Sequence, residues 1–537
     1  MLNLLQISSL EKVFLKKGQT FPEYTRASAL LGEEFCYQVM FWSEELMDLT
    51  VSVQSEPAAE LFLVGNVPSQ LPCYPTVQDQ DYLTYEPGLF PDILLPIQQV
   101  RVRGTQFAQA IWVCLRPEKA GEFPVTVRFE NPEKGVDQQV TFTLKVIDVS
   151  LPEQTLKFTQ WFHGDCIATY YQEEVWSESH WRHLEQFIKT AVQHGINMLL
   201  TPIFTPPLDT QVGGERPTIQ LVDVILEGGN YRFGFDKLRR WIVMCKQCGI
   251  RYFEISHLFT QWGARSTPKI IARVNGEQKR IFGWDTDALS EQYQSFLAAF
   301  LPELTRVLRE EKIDQVTLFH ISDEPRMEDL EYYRRASQSI SPYLEGFQVI
   351  DALSNYEFYQ QGVVKHPIPS SNHIEPFLGM DHLWTYYCCS QGEKVSNRFF
   401  AMPSYRNRIM GVQLYKYQVE GFLHWGYNFY YSQFSRFPIN PYQVTDAACG
   451  FPSGDAFSVY PGADGSALPS LRLKVFYHGL QDMRALSLLE AKMPREEIVH
   501  LIDQAGTVTF DRYPKSSEYL LNLREQVNDL IEKLFVS

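Results

Sequence analysis

The chain has 537 residues, which is longer than one compact core usually supports, so we expect at least two domains. Its 48 Lys and Arg residues are outnumbered by 64 Asp and Glu residues, which gives a formal net charge of −16. This balance argues against a nucleic-acid-binding protein, because binding to phosphates requires basic stripes on the surface. Aromatic residues make up 14% of the chain and supply many rings that can line a ligand cleft.

The beginning of the sequence carries no recognisable export signal. Residues 1–20 lack the basic segment, the continuous apolar segment and the small-residue cleavage site of a signal peptide. No later stretch is apolar over the length that a membrane-spanning helix needs. We therefore expect a cytoplasmic protein with no membrane partner, unless a signal peptide was removed from the sequence.

The first part of the chain alternates apolar and polar residues with a period of two. Pro and Gly interrupt this alternation repeatedly between residues 10 and 150. The pattern is typical of short strands in a sandwich, and we predict an N-terminal antiparallel β-sandwich domain over residues 1–152. The strand candidates lie at residues 61–64, 100–103, 110–115, 125–129 and 140–149.

After residue 152 the pattern changes to apolar strands that alternate with amphipathic helices. Such alternation over about 300 residues is typical of a (β/α)8 barrel or a doubly wound sheet. We predict a (β/α)8 TIM-type barrel over residues 153–495, because no Gly-rich phosphate loop follows the first strand. The strand candidates lie at residues 157–162, 196–200, 250–255, 316–321, 346–352, 382–388 and 421–427.

The end of the chain has the periodicity of helices at residues 471–493 and 517–535. We predict a C-terminal helical segment over residues 496–537 that closes the barrel or packs beside it. The predicted fold class is therefore multidomain, with an N-terminal sandwich, a barrel and C-terminal helices.

In a barrel enzyme the reactive groups gather at the carboxyl ends of the strands, so the residues that end each predicted strand are the candidate site. Carboxylates ringed by Trp, Tyr, His and Asn suit a sugar, because aromatic faces stack on the ring while polar groups hold the hydroxyls. Other polar ligands fit this composition too. The candidates are His163, Asp165, Thr201, Thr205, Glu254, His257, Gln261, Trp262, Asp323, Glu324, Asp351, Asn355, Trp384, Tyr386, Trp425, Tyr427 and Asn428.

The adjacent pair Asp323 and Glu324 is the most informative of these features. Neighbours in a regular strand point to opposite faces, so both side chains enter one site only where the strand ends. Pro325 supplies that end, and we expect it to occupy the first position of the following helix. The pair would then either cap this helix or form a site in which one carboxyl group stays ionised while the pKa of the other rises.

Four stretches of the sequence resemble a known family. They are His320-Ile-Ser-Asp-Glu-Pro325, Glu254-Ile-Ser-His-Leu-Phe-Thr-Gln-Trp-Gly-Ala264, Gly421-Phe-Leu-His-Trp-Gly-Tyr-Asn428, and Tyr460-Pro-Gly462 followed by Gly479-Leu-Gln-Asp-Met-Arg-Ala485. These stretches resemble domain-of-unknown-function family 4091, which is similar to glycoside hydrolase family 123. The resemblance covers roughly residues 155–490 and implies an N-terminal sandwich in front of the barrel.

This resemblance implies an exo-acting β-N-acetylgalactosaminidase with a retaining, substrate-assisted mechanism. Asp323 would orient the 2-acetamido group, whose carbonyl oxygen attacks the anomeric carbon to form an oxazolinium ion. Glu324 would protonate the leaving oxygen and then deprotonate water. Trp384 and Trp425 would flank the sugar, and Tyr386 would bind the acetamido oxygen. The remaining sugar contacts would be His163, Asp165, His257, Gln261, Trp262, Tyr427 and Asn428.

Two alternatives remain open at the level of sequence. Nothing in the residues fixes the sugar, so a glycosidase acting on β-GlcNAc or another glycoside fits the same carboxylate pair. A non-catalytic carbohydrate-binding protein on the same scaffold is the other alternative. In each case we expect a glycan partner derived from oligosaccharides or glycolipids and no metal or cofactor, and a homodimer is compatible with the sequence.

Overall fold

The structure, a computed structural model, describes residues 1–97 and 102–536. Its N-terminal part contains ten strands: β1 (Leu2–Ser8), β2 (Arg26–Leu31), β3 (Phe35–Ser43), β4 (Met47–Gln54), β5 (Glu60–Ser69), β6 (Gly88–Pro96), β7 (Val102–Gly104), β8 (Gln109–Leu115), β9 (Gly121–Asn131) and β10 (Val136–Ser150). The strand expected at residues 100–103 is described only from Val102, because residues 100 and 101 lie outside the described residues.

These strands form two five-stranded sheets, in the orders β1-β3-β8-β5-β6 and β2-β10-β9-β4-β7. Both sheets contribute buried apolar side chains to one shared core, as alternating strand residues require. The rings of Tyr37 and Phe142, one from each sheet, stack with their centroids 4.3 Å apart. Every pair of neighbouring strands is antiparallel except β2 and β10, which run parallel.

The second part of the chain alternates strands with helices. Its strands are β11 (Lys157–Gln160), β12 (Met198–Thr201), β13 (Asp223–Glu227), β14 (Asn230–Gly234), β15 (Tyr252–Ile255), β16 (Ile270–Val274), β17 (Glu277–Phe282), β18 (Thr317–Phe319), β19 (Gln348–Ala352), β20 (His366–Ile368), β21 (Trp384–Tyr386), β22 (Gly421–His424), β23 (Val459–Pro461) and β24 (Ala467–Pro469). Its helices are α1 (Gly164–Tyr171), α2 (Glu178–Gln193), α3 (Asp236–Cys248), α4 (Glu291–Glu310), α5 (Leu330–Ile340), α6 (Tyr356–Gln360), α7 (Ser404–Lys416) and α8 (Leu471–Leu489).

Eight of these strands pair in parallel, in the order β20-β19-β18-β15-β12-β11-β22-β21. The first and last strands of this sheet also meet, because Ser370 forms a parallel bridge with Tyr386. The backbone N–H of Ser371 donates to the carbonyl of Tyr386 at 2.8 Å beside this bridge. The sheet therefore closes on itself like a barrel, and the carboxyl ends of its strands share one rim.

The barrel differs from eight regular strand–helix units in two ways. A single 3-10 turn, Glu375–Phe377, follows β20 in place of a helix. Three antiparallel strand pairs, β13–β14, β16–β17 and β23–β24, are inserted after β12, β15 and β22. All three insertions follow the carboxyl ends of barrel strands.

The C-terminal helices α9 (Arg495–Ile502) and α10 (Ser517–Phe535) share a hydrophobic core with α7, α8 and the N-terminal sheets. Buried ion pairs add to this contact. Arg472 of α8 bonds Asp92 at 2.7 Å, and Lys474 bonds Glu34 at 2.9 Å. Helix α8 is therefore held by apolar packing and by the charges of Asp92 and Glu34 from the N-terminal part of the chain. Among the described residues, we find no helix that is long and apolar enough to cross a bilayer.

Candidate active site

A cavity of about 210 Å³ opens at the rim where the barrel strands end. Residues from the ends of several strands and from three long loops line it. Such a position is where barrel enzymes place their reactive groups. The lining residues are Trp161, Leu208, Asp209, Gln261, Trp262, Asp323, Glu324, Ala352, Tyr386, Cys388, Cys389, Leu423, Trp425, Gln433, Phe434 and Phe451.

Asp323 and Glu324 both reach this cavity because the backbone turns sharply between them and the next residue. β18 ends at Phe319, and Glu324 adopts a left-handed conformation with φ of 43°. This conformation costs free energy for a residue with a side chain and is typical of functional turns. It is fixed by the N–H of Glu324, which donates to the carbonyl of Ala352 at 2.9 Å.

The expectation that Pro325 begins a helix is wrong. A 3-10 turn, Met327–Asp329, follows it, and α5 begins only at Leu330. The pair therefore does not sit at the first turn of a helix, and the partial positive charge of a helix terminus does not explain it. The positive charge that acts on Asp323 is that of a buried histidine, His320.

His320 lies fully buried between two carboxylates, Glu254 and Asp351. Its Nε2 bonds Glu254 through a short contact, and its Nδ1 lies 3.3 Å from Asp351 Oδ1. Burial alone would lower the pKa of His320, but the charge of Glu254, followed by Asp351, raises it to about 10. Burial also raises the pKa of Asp351, so we assign the ion pair mainly to Glu254, which makes the closer contact.

Hydrogen bonds complete this buried network. Glu254 accepts from Thr159 Oγ1 at 2.7 Å and from Trp161 Nε1 at 2.8 Å, while Asp351 accepts from the N–H of Ile321 at 3.0 Å and from the Tyr333 hydroxyl. Trp161 also lines the cavity. The network therefore links the cavity wall to the chain segment that carries the carboxylate pair.

The two carboxyl groups of the pair occupy different surroundings. Asp323 is half-buried and Glu324 is exposed toward the cavity. Burial, and then the charge of Glu324, raises the pKa of Asp323 well above its usual range, although the charge of His320 opposes this rise. Glu324 accepts a hydrogen bond from the Tyr386 hydroxyl at 2.5 Å. The pair thus combines a carboxyl group that resists ionisation with one held in place by a phenol.

Trp425 forms another wall of the cavity and is held from behind by Asp455. Its Nε1 donates to Asp455 Oδ2 at 2.9 Å. Burial raises the pKa of Asp455 to about 7, although Arg398 opposes this rise. The indole position therefore depends on a carboxyl group that titrates near neutral pH.

Gln261 and Trp262 also reach the cavity, on the loop that follows β15. The N–H of Trp262 donates to the carbonyl of Asp323 at 2.8 Å, which joins this loop to the pair. Trp262 is left-handed, with φ of 60°. Together with Tyr386 and Trp425, these residues are the predicted sugar contacts that the structure brings beside Asp323 and Glu324.

Three other predicted contacts, His163, Asp165 and Asn428, lie in a buried network and do not line the cavity. Asp165 forms a bidentate ion pair with Arg216 at 2.7 and 2.8 Å. Asn428 makes two hydrogen bonds with the backbone of His163. Burial and the charge of Arg216 lower the pKa of His163 to about 3. These polar groups form their hydrogen bonds with other protein groups and connect the loops that follow β11 and β22.

The remaining three predicted contacts are also buried away from the cavity. Trp384 fills the barrel interior, where only a glycine at position 421 leaves room for its indole ring. Tyr427 donates its hydroxyl proton to the carbonyl of Phe187 at 2.9 Å. His257 stacks on His320 with ring centroids 4.4 Å apart, and burial with the charge of His320 lowers its pKa well below the usual range.

Several lining residues were missed by the sequence analysis. Most of them belong to long loops, where distance from a strand end gives no signal. Asp209 stands eight positions beyond the end of β12, and only its acidic side chain on a loop marks it. The missed polar, thiol and aromatic residues are Trp161, Asp209, Cys388, Cys389, Gln433, Phe434 and Phe451.

Two clusters of buried donor atoms have metal-like composition within residues 1–97 and 102–536, namely His257, His320 and Asp351, and Glu34, Cys36 and Cys114. In the first, both ring nitrogens of His320 already contact carboxylates. In the second, Glu34 is paired with a lysine at 2.9 Å. His320, Asp351 and Glu34 are committed to protein partners, which fits a metal poorly, whereas neither ring nitrogen of His257 has a hydrogen-bond partner among the described residues. The expectation of a cofactor-free protein stays a prediction.

Comparison with known proteins adds a family and a fold. The model of the family described as glycoside hydrolase 123, catalytic domain, matches residues 161–489, and no curated protein matches the sequence. A family 123 glycoside hydrolase from Clostridium perfringens, studied for glycolipid glycan hydrolysis, has a similar structure, with a TM-score of 0.75 and 15% identity over 100% of this chain and 98% of that chain.

Two further solved structures match with low TM-scores. A β-glucuronidase from Parabacteroides merdae has a TM-score of 0.29 and 10% identity over 89% of this chain and 52% of that chain. An endo-β-1,4-mannanase from Thermotoga petrophila has a TM-score of 0.33 and 14% identity over 61% of this chain and 77% of that chain.

Proposed function

Because the chain belongs to glycoside hydrolase family 123, we propose that it is an exo-acting β-N-acetylgalactosaminidase with a retaining, substrate-assisted mechanism. The observation that carries this proposal is the position of Asp323 and Glu324, adjacent in sequence and both exposed to one cavity. We infer that two neighbouring carboxyl groups lining one cavity would lie on the same side of a bound sugar. This suits a mechanism in which the nucleophile comes from the substrate.

In the first step, Glu324 donates a proton to the glycosidic oxygen while the acetamido carbonyl oxygen attacks the anomeric carbon. The bond to the leaving group breaks and an oxazolinium ion forms. Asp323 hydrogen-bonds the acetamido N–H and stabilises the positive charge that develops there. In the second step, Glu324 removes a proton from water, and the water oxygen attacks the anomeric carbon. This attack opens the oxazolinium ring and restores the starting configuration at the anomeric carbon.

The hydrogen bond to Glu324 supports this division of roles, whereas the raised pKa of Asp323 favours a protonated Asp323 in the empty site. Tyr386 donates to Glu324 Oε1 at 2.5 Å and so fixes the orientation of the proposed acid–base group. The charge of His320 beneath Asp323 favours its ionised form, while burial and Glu324 disfavour it. An acid whose ionisation is opposed in the empty site becomes a strong acceptor when a positive group binds beside it.

The size of the cavity supports cleavage at a chain end. Its volume of about 210 Å³ is below the roughly 300–1,000 Å³ of pockets that hold drug-sized ligands. A single terminal sugar suits such a space, with Trp161, Trp262 and Trp425 as aromatic walls. We propose glycans from oligosaccharides or glycolipids as substrates, in line with the glycolipid glycans of the Clostridium perfringens protein. A cytoplasmic location and a homodimer stay predictions.

Two alternatives use the same residues. A glycosidase specific for β-GlcNAc or another glycoside would keep both carboxyl groups and differ in the contacts to the sugar hydroxyls. A non-catalytic sugar-binding protein would use the pair as ligand contacts. The hydrogen bond from Tyr386 to Glu324 favours an enzyme over a sugar-binding protein, because sugar binding alone does not require a carboxylate oriented by a phenol.

Hydrolysis of aryl β-GalNAc and aryl β-GlcNAc by the wild type and by Asp323→Asn and Glu324→Gln tests the proposal. We expect the wild type to prefer the β-GalNAc substrate and each variant to lose on the order of 100-fold or more in kcat/KM. Glu328→Gln, an exposed neighbour in the same loop, is the matched control and should keep full activity.

An acetamido-derived thiazoline, which mimics the oxazolinium ion, provides a second measurement. Strong inhibition is expected if the acetamido group is the nucleophile. Equal hydrolysis of sugars that lack the 2-acetamido group would contradict the role of Asp323, and a preference for β-GlcNAc would change the sugar while keeping the mechanism. Release of neither sugar by the wild type would leave the binding-protein alternative.

A further inference from the structure

The cavity contains a third carboxyl group, that of Asp209, for which the proposed mechanism has no role. Asp209 lies on the loop after β12, on a different wall from Asp323 and Glu324. It is partly buried. A carboxyl group that lines a sugar cavity without acting on the scissile bond is a candidate for recognising the sugar itself.

The loops around Asp209 hold it in one place. Its Oδ2 accepts from the N–H of Phe434 at 2.9 Å, its own N–H donates to Gln261 Oε1 at 2.8 Å, and its carbonyl accepts from Ser435 Oγ at 2.7 Å. The backbones of Asp209 and Phe434 are left-handed, with φ of 37° and 62°. Strained backbone held by three hydrogen bonds is typical of a preorganised binding group.

One oxygen of this carboxyl group is left for a ligand. Among the described residues, the hydrogen bonds to the side chain of Asp209 reach only Oδ2. A free carboxylate oxygen at a cavity wall accepts a hydrogen bond from a sugar hydroxyl group but has no donor to offer an anion. This oxygen therefore distinguishes ligands by charge.

The charged residues that line the cavity also favour neutral ligands over anions. Asp209, Asp323 and Glu324 line it, whereas no Lys, Arg or His side chain of the described chain does. The two cations whose charges act on Asp209 are Arg216 and Arg436, and both are engaged with other groups. Arg216 is buried in its ion pair with Asp165, and Arg436 is exposed over the ring of Phe434 with its Nε 3.2 Å from Gln211 Oε1.

Resting on the proposed glycosidase function, we propose that Asp209 is a specificity-determining residue that binds a hydroxyl group of an uncharged terminal sugar and excludes sugars bearing sulfate or carboxylate. Repulsion between like charges is the means of exclusion, because the cavity offers an anion no compensating cation. An anionic group farther along the glycan, outside the cavity, meets Arg436 at the rim and is not excluded.

Binding of matched neutral and sulfated sugars tests this proposal. Nuclear magnetic resonance titrations would give Kd for the methyl β-glycosides of GalNAc and GlcNAc and of their 6-sulfates. We expect the neutral member of the pair to bind at least about 30-fold more tightly to the wild type, and Asp209→Asn to reduce this ratio at least about tenfold. Asparagine keeps an acceptor for Phe434 and tolerates the left-handed backbone.

Asp137→Asn is the matched control, because Asp137 is exposed on β10 and changes the net charge by the same amount. It should leave the ratio unchanged. A second measurement varies the pH. Burial raises the pKa of Asp209 to about 6, so the wild type should discriminate less at pH 5 than at pH 8, while Asp209→Asn should lose part of that pH dependence.

The proposal is overturned if the sulfated sugar binds the wild type as tightly as the neutral one, if Asp209→Asn keeps the full ratio while folded, or if neither neutral sugar binds. These outcomes concern affinity and do not depend on turnover. A protein that binds neutral sugars selectively but hydrolyses none would contradict the proposed function and leave this inference intact.

Discussion

Replacement of His320 by asparagine removes the cation that contacts both Glu254 and Asp351. All three side chains are fully buried. In the variant Glu254 keeps its bonds from Thr159 and Trp161, so the loss is that of the charge partner and not of every hydrogen bond. Removing one member of a buried ion pair costs about 3–5 kcal/mol, because the other charge stays buried without compensation.

The pKa of His320 gives an independent magnitude. A rise from the ordinary value of 6.5 to about 10 corresponds to about 5 kcal/mol of stabilisation of the protonated ring in the folded state. Since the pKa is higher in the folded than in the unfolded protein, this contribution is complete below pH 6.5 and is lost as the pH rises through 10. The two values agree, so we expect His320→Asn to lower the free energy of unfolding at pH 7 by about 3–5 kcal/mol.

Urea unfolding followed by tryptophan fluorescence at pH 7 and at pH 10.5 measures this effect. The matched control is His382→Asn, because His382 forms an exposed pair with Glu420 at 2.8 Å and its loss should cost at most about 1 kcal/mol. The difference between wild type and His320→Asn should shrink at pH 10.5. Equal losses for the two variants, or a gap that does not change with pH, would show that His320 is not the cation of this network.

Two further predictions concern the cavity walls. Tyr386→Phe removes the donor to Glu324, and we expect kcat/KM for the aryl glycoside to fall about tenfold to a hundredfold, because bonds to charged groups contribute about 1.5–3 kcal/mol; an unchanged kcat/KM in the folded variant would refute this. Asp455 has a pKa raised to about 7 in the folded protein, so its ionisation lowers stability as the pH rises from 4 to 7. Asp455→Asn should flatten that part of the stability profile measured by thermal unfolding, and a profile identical to wild type would contradict the assignment.

Seven of the eight barrel strands could be located from apolar runs in the sequence, within a few residues of their observed ends. The missed strand, β20, spans three residues, His366–Ile368, with a proline in the middle. Such a segment is too short to show periodicity, and its strand conformation depends on pairing with β19. The single 3-10 turn after β20 likewise could not be foreseen from the repeating pattern of the other units.

The residues of the candidate site could likewise be predicted only in part from the sequence. Tyr386 and Trp425 were found because they stand at or just after the ends of strands that share one rim, and Gln261 because it belongs to the stretch 254–264 that resembles the family. Asp209 and Phe434 were not found, since they lie on loops whose paths depend on contacts with each other. Distance along the chain from a strand end does not tell where a long loop returns.

The sequence by itself determined the family and the adjacent carboxyl pair, because a short motif after a buried strand is a local property of the chain. Only the tertiary structure decided which polar residues at strand ends face a ligand and which are consumed by the protein. Asp165 and Asp323 look alike in sequence, yet Asp165 is neutralised by Arg216, 51 positions away, whereas Asp323 lines the cavity. The availability of a carboxylate depends on whether folding brings a cation to it, and that partner comes from a distant part of the chain.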